Sequence, residues 1–103
     1  MNTLTSNTKI VKLTFDDKIY VSLSTGDVLT IPFNYTKRLA QSTKEQLSSY
    51  RLIADGIGVH FDIIDEDISL SGIVRYKMEN ELLASWLEQN SKDEEKQYNF
   101  NRL

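Results

Sequence analysis

The chain contains no cysteine, one proline, one histidine, one tryptophan and four glycines in 103 residues. Without cysteine there is no disulfide, no thiolate metal site and no thiol nucleophile. That composition fits a reducing compartment. A single histidine restricts any histidine-dependent chemistry to one position, His60. No apolar run approaches the roughly 18 residues needed to span a bilayer. The polar stretch from Met1 to Thr8 has no charged side chain and lacks the basic start and apolar run of a signal peptide. The expected location is therefore cytoplasmic. Positive charge is also short, with 12 Lys and Arg against 15 Asp and Glu and a net charge of −3. A general nucleic-acid surface needs concentrated positive charge, so only a local basic patch stays open.

What remains is the composition of one small domain, 40% hydrophobic, 26% charged and 10% aromatic. Residues 1–8 are expected to be a flexible start. In 9–15, Val11, Leu13 and Phe15 alternate with Lys12 and Thr14, which predicts a half-buried strand. Asp16-Asp17-Lys18 makes a turn. Ile19, Val21 and Leu23 give a second strand, and Thr25-Gly26-Asp27 turns into a third over Val28–Phe33 with Leu29, Ile31 and Phe33 on one face. Pro32 cannot donate to a ladder, so this strand ends there or lies at an edge. The three form an antiparallel meander whose apolar face needs a cover.

A helical turn is predicted from Tyr35 to Leu39. Ser42-Thr43-Lys44-Glu45-Gln46 fits the capping-box pattern, opening a helix that carries Leu47, Tyr50, Ile53 and Ala54 on one side and stops at Gly56 or Gly58. A fourth strand follows at Val59–Ile64, then a turn at Asp65-Glu66-Asp67. A second helical segment starts at Ser69–Val74, with Gly72 a weak point, and a third runs from Met78 to Leu87. Residues 90–103 are a polar, charge-dense tail. The fold class is α+β: a three-stranded meander plus a fourth strand packed against helices, with a C-terminal amphipathic helix at 76–89.

The order of motifs supports a family assignment. Ile31-Pro32-Phe33 closes the meander, Leu39-Ala40 precedes Ser42-Thr43, and Gly56-Ile57-Gly58-Val59-His60-Phe61 leads to Asp65-Glu66-Asp67-Ile68-Ser69. Over residues 9–75 the chain resembles the bacterial domain of unknown function DUF2442. The resemblance implies a small domain with a meander packed on helices and supplies no activity. It also implies a part as an antitoxin-like or accessory partner of another small bacterial protein. The chain departs from the family pattern at His60, where tryptophan is common, and at Asn34-Tyr35-Thr36, where a Trp-Tyr-Pro-like sequence is frequent.

Four groups of residues invite a chemical reading. His60 with Asp62 and Asp65 suggests a metal or acid–base site, because imidazole titrates near neutrality. A period of two instead places His60 and Asp62 together on the solvent face of a strand, and this reading is preferred. Asp65-Glu66-Asp67 offers hard oxygen ligands, but its spacing is not that of a calcium loop. Asp67 or Ser69 is better read as the cap of the next helix. Gly56-x-Gly58 lacks the third glycine and the Lys-Ser or Lys-Thr of a phosphate loop, and no serine sits in a nucleophile elbow. Lys37, Arg38, Lys44 and Arg51 around Tyr35 and Tyr50 form the candidate nucleic-acid patch.

The remaining candidate is the C-terminal stripe of Met78, Leu82, Leu83, Trp86 and Leu87. Leu and Trp at i, i+3 and i+4 can enter a partner's groove, and Trp is enriched at interaction hot spots; the same stripe equally suits packing of the helix on its own domain, and the spacing leaves slightly more weight on that side. The expectation is a non-enzymatic protein-interaction module without cofactor or metal, with another protein as partner, no membrane association, and homo-oligomerisation open. The alternatives are a nucleic-acid-binding autoregulator and, behind it, a metal-dependent enzyme.

Overall fold

A computed structural model describes residues 7–94. Strands β1 (Ile10–Phe15), β2 (Ile19–Leu23) and β3 (Val28–Ile31) form an antiparallel sheet in the order β1-β2-β3. This is the expected meander. Its turns follow from local chemistry: Thr25 Oγ1 donates to Asp27 at 2.7 Å, and Gly26 takes a φ of +96°. Pro32 directly follows the last residue of β3.

One detail of β1 departs from the alternating pattern. Ile10 pairs with Leu23 and Lys12 with Ser22, so Val11 is the extra residue of a bulge. A bulge reverses the inward and outward sense of the residues before it. Ile10 and Leu13 are therefore buried, while Val11 is 51% exposed. Thr8, expected in the flexible start, is also buried. The adjoining Lys9 backbone is tied to Ser24 in both directions, its N–H donating to Ser24 Oγ at 3.0 Å and its carbonyl accepting from the Ser24 N–H at 2.8 Å.

After β3 a 3-10 turn (Phe33–Tyr35) leads to α1 (Lys37–Ala40), capped by the Thr36 hydroxyl, which accepts from the Leu39 N–H at 3.2 Å. Helix α2 (Lys44–Leu47) begins with the expected capping box: Thr43 accepts from the Gln46 N–H, and the Gln46 side chain accepts from the Thr43 N–H. Leu39 and Leu47 are fully buried.

The predicted long helix does not continue. Chain direction changes after Ser48, and Tyr50–Ile53 is a strand, β4. Tyr50, Ile53 and Ala54 fit helical spacing, but Tyr50 pairs with Phe61 and Ile53 with Gly58. Aromatic and β-branched residues suit such a ladder. A 3-10 turn (Ala54–Gly56) with positive φ at all three residues brings the chain back. Gly56 thus serves a tight turn rather than a helix stop. Strand β5 (Gly58–Phe61) is central, and β6 (Glu66–Ser69) completes a second antiparallel sheet in the order β4-β5-β6. The expected fourth strand ends at Phe61 rather than Ile64, and Ile63 is 56% exposed in the turn beyond it. Glu66 and Asp67, expected in that turn, belong to β6.

Helix α3 is one continuous element, Leu70–Glu94, rather than one segment starting at Ser69–Val74 and a separate one at Met78–Leu87. Ser69 is its cap, accepting from the Gly72 N–H at 3.0 Å. The first five residues expected in the polar tail are helical, and the remainder lie outside the described residues. By its internal contacts the chain divides between Ile73 and Val74. The first unit holds both sheets, α1, α2 and the start of α3. Its core comprises Ile19, Val21, Ile31, Leu39, Leu47, Val59, Phe61 and Ile73, all fully buried. The fold is α+β. No helix among the described residues is long and apolar enough to cross a membrane.

Candidate functional site

His60 lies on β5 opposite Asp67 of β6, its Nδ1 2.5 Å from Asp67 Oδ1. On the other side of the ring, Nε2 is 3.2 Å from Asp62 Oδ1. Asp62 in turn receives the Arg51 Nε–H at 3.1 and 3.3 Å, Arg51 being the cross-strand partner of His60 on β4. The sequence expectation joined His60 with Asp62 and Asp65. The first pair meets; Asp65 does not join them. It sits in the hairpin turn with φ at +54°, and its carbonyl accepts from Arg38. Asp67 takes the place expected for Asp65.

The arrangement is a row across three strands: Arg51, His60 and Asp67, with Asp62 at the end of β5. Each ring nitrogen of His60 faces a carboxylate oxygen, Nδ1 that of Asp67 and Nε2 that of Asp62. No group of three His, Asp or Glu side chains among the described residues is placed to hold a metal ion. The geometry is that of cross-strand pairing on a sheet face, where opposite charges stabilise by about 0.2–1 kcal/mol. Asp67 and Arg51 were detectable in principle. Once the hairpin turn is placed at residues 62–65, the antiparallel register sets Asp67 opposite His60.

Two of the four basic residues, Arg38 and Arg51, have partners within the domain. Arg38 donates from Nη1 to the carbonyls of Ile64 at 3.1 Å and Asp65 at 2.7 Å, pinning α1 to the β5–β6 turn. Arg51 is paired with Asp62. Lys37 and Lys44 are exposed on α1 and α2. Half of the predicted patch therefore has a structural task within the domain.

The apolar stripe of α3 is the most exposed hydrophobic surface among the described residues. Met78 is 57% exposed, Leu82 69%, Leu83 53%, Trp86 57% and Leu87 52%. Glu79, Leu82, Leu83, Trp86 and Gln89 line a shallow open groove along one side of the helix. Scattered exposed leucines need no explanation, whereas several large apolar side chains exposed on one helix are a less ordinary feature. The helix forms because its interior from Val74 onward is free of glycine and proline and carries several Glu and Leu, with Met78, Lys77 and Ala84 among its other good helix formers.

The family comparison agrees with the motif order. Residues 10–79 match the model for "Protein of unknown function (DUF2442)". The chain belongs to the DUF2442 family. A crystal structure of a protein of unknown function from Rhodospirillum rubrum ATCC 11170, determined at 2.75 Å, has the same fold. It is 23% identical, with a TM-score of 0.62 over 68% of this chain and 88% of that one. No curated protein matches. The DUF2442 match ends at Glu79, so Leu82, Leu83, Trp86 and Leu87 lie beyond the residues that define the family.

Proposed function

We propose that this DUF2442 protein is a non-enzymatic protein-interaction module whose docking element is the apolar face of α3. The observation that carries this reading is the exposure of five large hydrophobic side chains, each more than half open to solvent, on one helix. Burying such a face stabilises a complex by roughly 25 cal/mol per Å² of apolar surface, before the entropy of association is met. An amphipathic helix presenting Leu and Trp is a recurrent docking device. The family resemblance adds the form of an accessory or antitoxin-like partner of another small protein. The histidine cluster supports no competing reading, since its polar groups are used on one another.

The test is affinity purification of the tagged chain from its native host, beside a Leu82→Glu/Trp86→Glu variant. A stoichiometric protein that the native chain retains and the variant loses supports docking through α3. Equal retention by both removes it. Strongly salt-dependent retention on DNA or RNA by both forms would favour a nucleic-acid role instead.

A further inference from the structure

We infer that Asp55-Gly56 is a site of backbone isomerisation to isoaspartate, and that Lys9 restrains this reaction in the folded domain. Asp55-Gly56 is the one Asp-Gly step in the chain, and there is no Asn-Gly step. Glycine has no Cβ to hinder its own nitrogen from approaching the preceding side chain. The Gly56 nitrogen attacks Cγ of the protonated Asp55 carboxyl. A C–N bond forms, and the carboxyl OH leaves as water with the Gly56 N–H proton. The product is a succinimide ring. Water then adds to either ring carbonyl. Addition at Cγ breaks the new C–N bond and restores Asp55. Addition at the main-chain carbonyl breaks the original peptide bond and leaves isoaspartate. Its backbone runs through the former side chain and is longer by a methylene, with no net change in mass.

The β4–β5 turn both exposes and strains this step. The Asp55 side chain is 88% exposed, so water reaches it. Ala54, Asp55 and Gly56 hold φ at +51°, +58° and +90°. Ala54 and Asp55 carry a Cβ, and the left-handed region is strained for such residues. A longer backbone at position 55 relaxes that constraint, which favours the isomerised product. Lys9, the residue before β1, opposes it. Its ammonium is 2.5 Å from Asp55 Oδ2. Ring closure consumes the neutral carboxyl, whereas the ammonium favours the carboxylate. Closure also ends the ion pair, because the succinimide carries no charge. The Lys9 stem packs on Gly56, where an added Cβ would stand 2.9 Å from Lys9 Cβ. Lys9 is itself held in place, since its backbone is bonded to Ser24 in both directions. The restraint therefore comes from the start of the other sheet, and only the fold supplies it.

The test compares the native chain with Lys9→Met, which keeps most of the stem and removes the charge, and with Lys9→Arg, which restores the charge. Each is incubated at near-neutral pH and a temperature where circular dichroism shows it folded, and again in guanidinium chloride. Isoaspartate is counted with an isoaspartyl methyltransferase and located by peptide mapping. A protease that cuts before aspartate leaves the bond between positions 54 and 55 intact in the isomer. In denaturant the three chains should isomerise at position 55 at one rate. The folded native chain should be slower than its denatured form. Folded Lys9→Met should exceed the folded native rate by about 1.5- to 5-fold, the factor by which an exposed ion pair shifts an equilibrium. Lys9→Arg should return to the native rate. Equal rates for the folded native and Lys9→Met chains would overturn the role of Lys9, as would a folded native chain that isomerises as fast as the denatured one. A denatured chain that forms no isoaspartate at position 55 would overturn the site itself.

Discussion

The Tyr50 hydroxyl, on β4, accepts the Leu13 N–H of β1 at 3.0 Å and donates to the Leu13 carbonyl at 3.4 Å. Both strands are at the edges of their sheets, where backbone groups would otherwise lack a ladder partner. One phenol thus joins the two sheets. Its ring packs edge-on to Phe15 at 5.9 Å and tilted against Phe61 at 6.4 Å, with Phe15 and Phe61 also 6.4 Å apart. Such aromatic contacts add about 0.5–1.5 kcal/mol beyond area burial.

Tyr50→Phe keeps the ring and removes the hydroxyl, leaving the Leu13 N–H without this acceptor. Loss of a partner for a shielded donor costs about 1–3 kcal/mol. Urea unfolding should show a lower midpoint at unchanged slope. Stability equal to the native chain would mean that water replaces the hydroxyl and that the junction rests on the rings alone.

How far the sequence discloses this junction depends on which contacts are local. The meander is readable because Ile19, Val21 and Leu23 alternate cleanly and the turn residues between strands are unambiguous. The capping box at Thr43 and Gln46 is equally local and is present as expected. Tyr50 and Ile53 mislead because residues three apart satisfy a helix stripe, whereas their strand state comes from pairing with Phe61 and Gly58. That pairing is visible only when the turn at Ala54–Gly56 is known. The bulge at Val11 is hidden for the same reason: it is a property of two strands together. At the candidate site, His60 and Asp62 are close in sequence and so readable together, although Asp62 lies in the turn beyond β5 rather than on the strand face; Asp67 becomes readable only once that turn is placed, because acidic residues seldom favour strands. The apolar stripe of α3 is visible from spacing alone, but its exposure is not, because the same spacing suits packing on the chain's own domain; nor is the continuity of the helix from Leu70 to Glu94.

Two glycines with positive φ should respond differently to alanine. Gly26 has a φ of +96° and nothing within 4 Å of a would-be Cβ. Gly26→Ala should cost only the left-handed conformation, about 1–2 kcal/mol. Gly56 has a φ of +90°, and its Cβ would meet Lys9 Cβ at 2.9 Å and the Ile10 carbonyl at 3.2 Å. Gly56→Ala adds this crowding against the start of β1 and should be the more damaging change. Thermal denaturation ranks the pair, and an equal or smaller loss at Gly56 would show that β1 shifts freely to admit the methyl group.

The surface carboxylates give a defined pH response. The hydrogen bond from the Tyr20 hydroxyl, 2.7 Å away, holds the Asp17 carboxyl below its ordinary value of 3.8, and the same bond raises Tyr20 above 10.0. The Lys9 ammonium beside Asp55 lowers that carboxyl too, first by hydrogen bonding and then by charge. A carboxylate lowered in the folded state contributes stability that is present above pH 3.8 and is lost as pH falls through the lowered value. For Tyr20 the sign reverses: its contribution is present below pH 10.0 and is lost as pH rises through the raised value. All these groups are at the surface, so the effect on stability is small and is best read site by site. Carbon-13 NMR titration should show the Asp17 carboxyl moving upward in Tyr20→Phe, and Asp55 moving upward in Lys9→Met. An Asp17 titration unchanged by Tyr20→Phe would mean that the hydrogen bond does not persist in solution.

Two aliphatic residues of α3 separate folding from docking. Ile73 is fully buried, whereas Leu82 is 69% exposed. Ile73→Ala removes packed methyl groups and leaves a cavity, a change that costs about 2–5 kcal/mol. Leu82→Ala removes side-chain area that is already in water, and such surface changes stay within about 0.5 kcal/mol. Both should be measured by urea unfolding of the folded domain in dilute solution, so that any association through α3 does not add to the stability of the native state. Ile73→Ala should lower the unfolding midpoint, with Leu82→Ala close to the native chain. The order should invert for partner retention measured at a temperature where both variants are folded: Leu82→Ala should weaken it and Ile73→Ala should not. If Leu82→Ala proved as destabilising as Ile73→Ala in dilute solution, the α3 face would be part of the chain's own packing, and its assignment as a docking surface would be wrong.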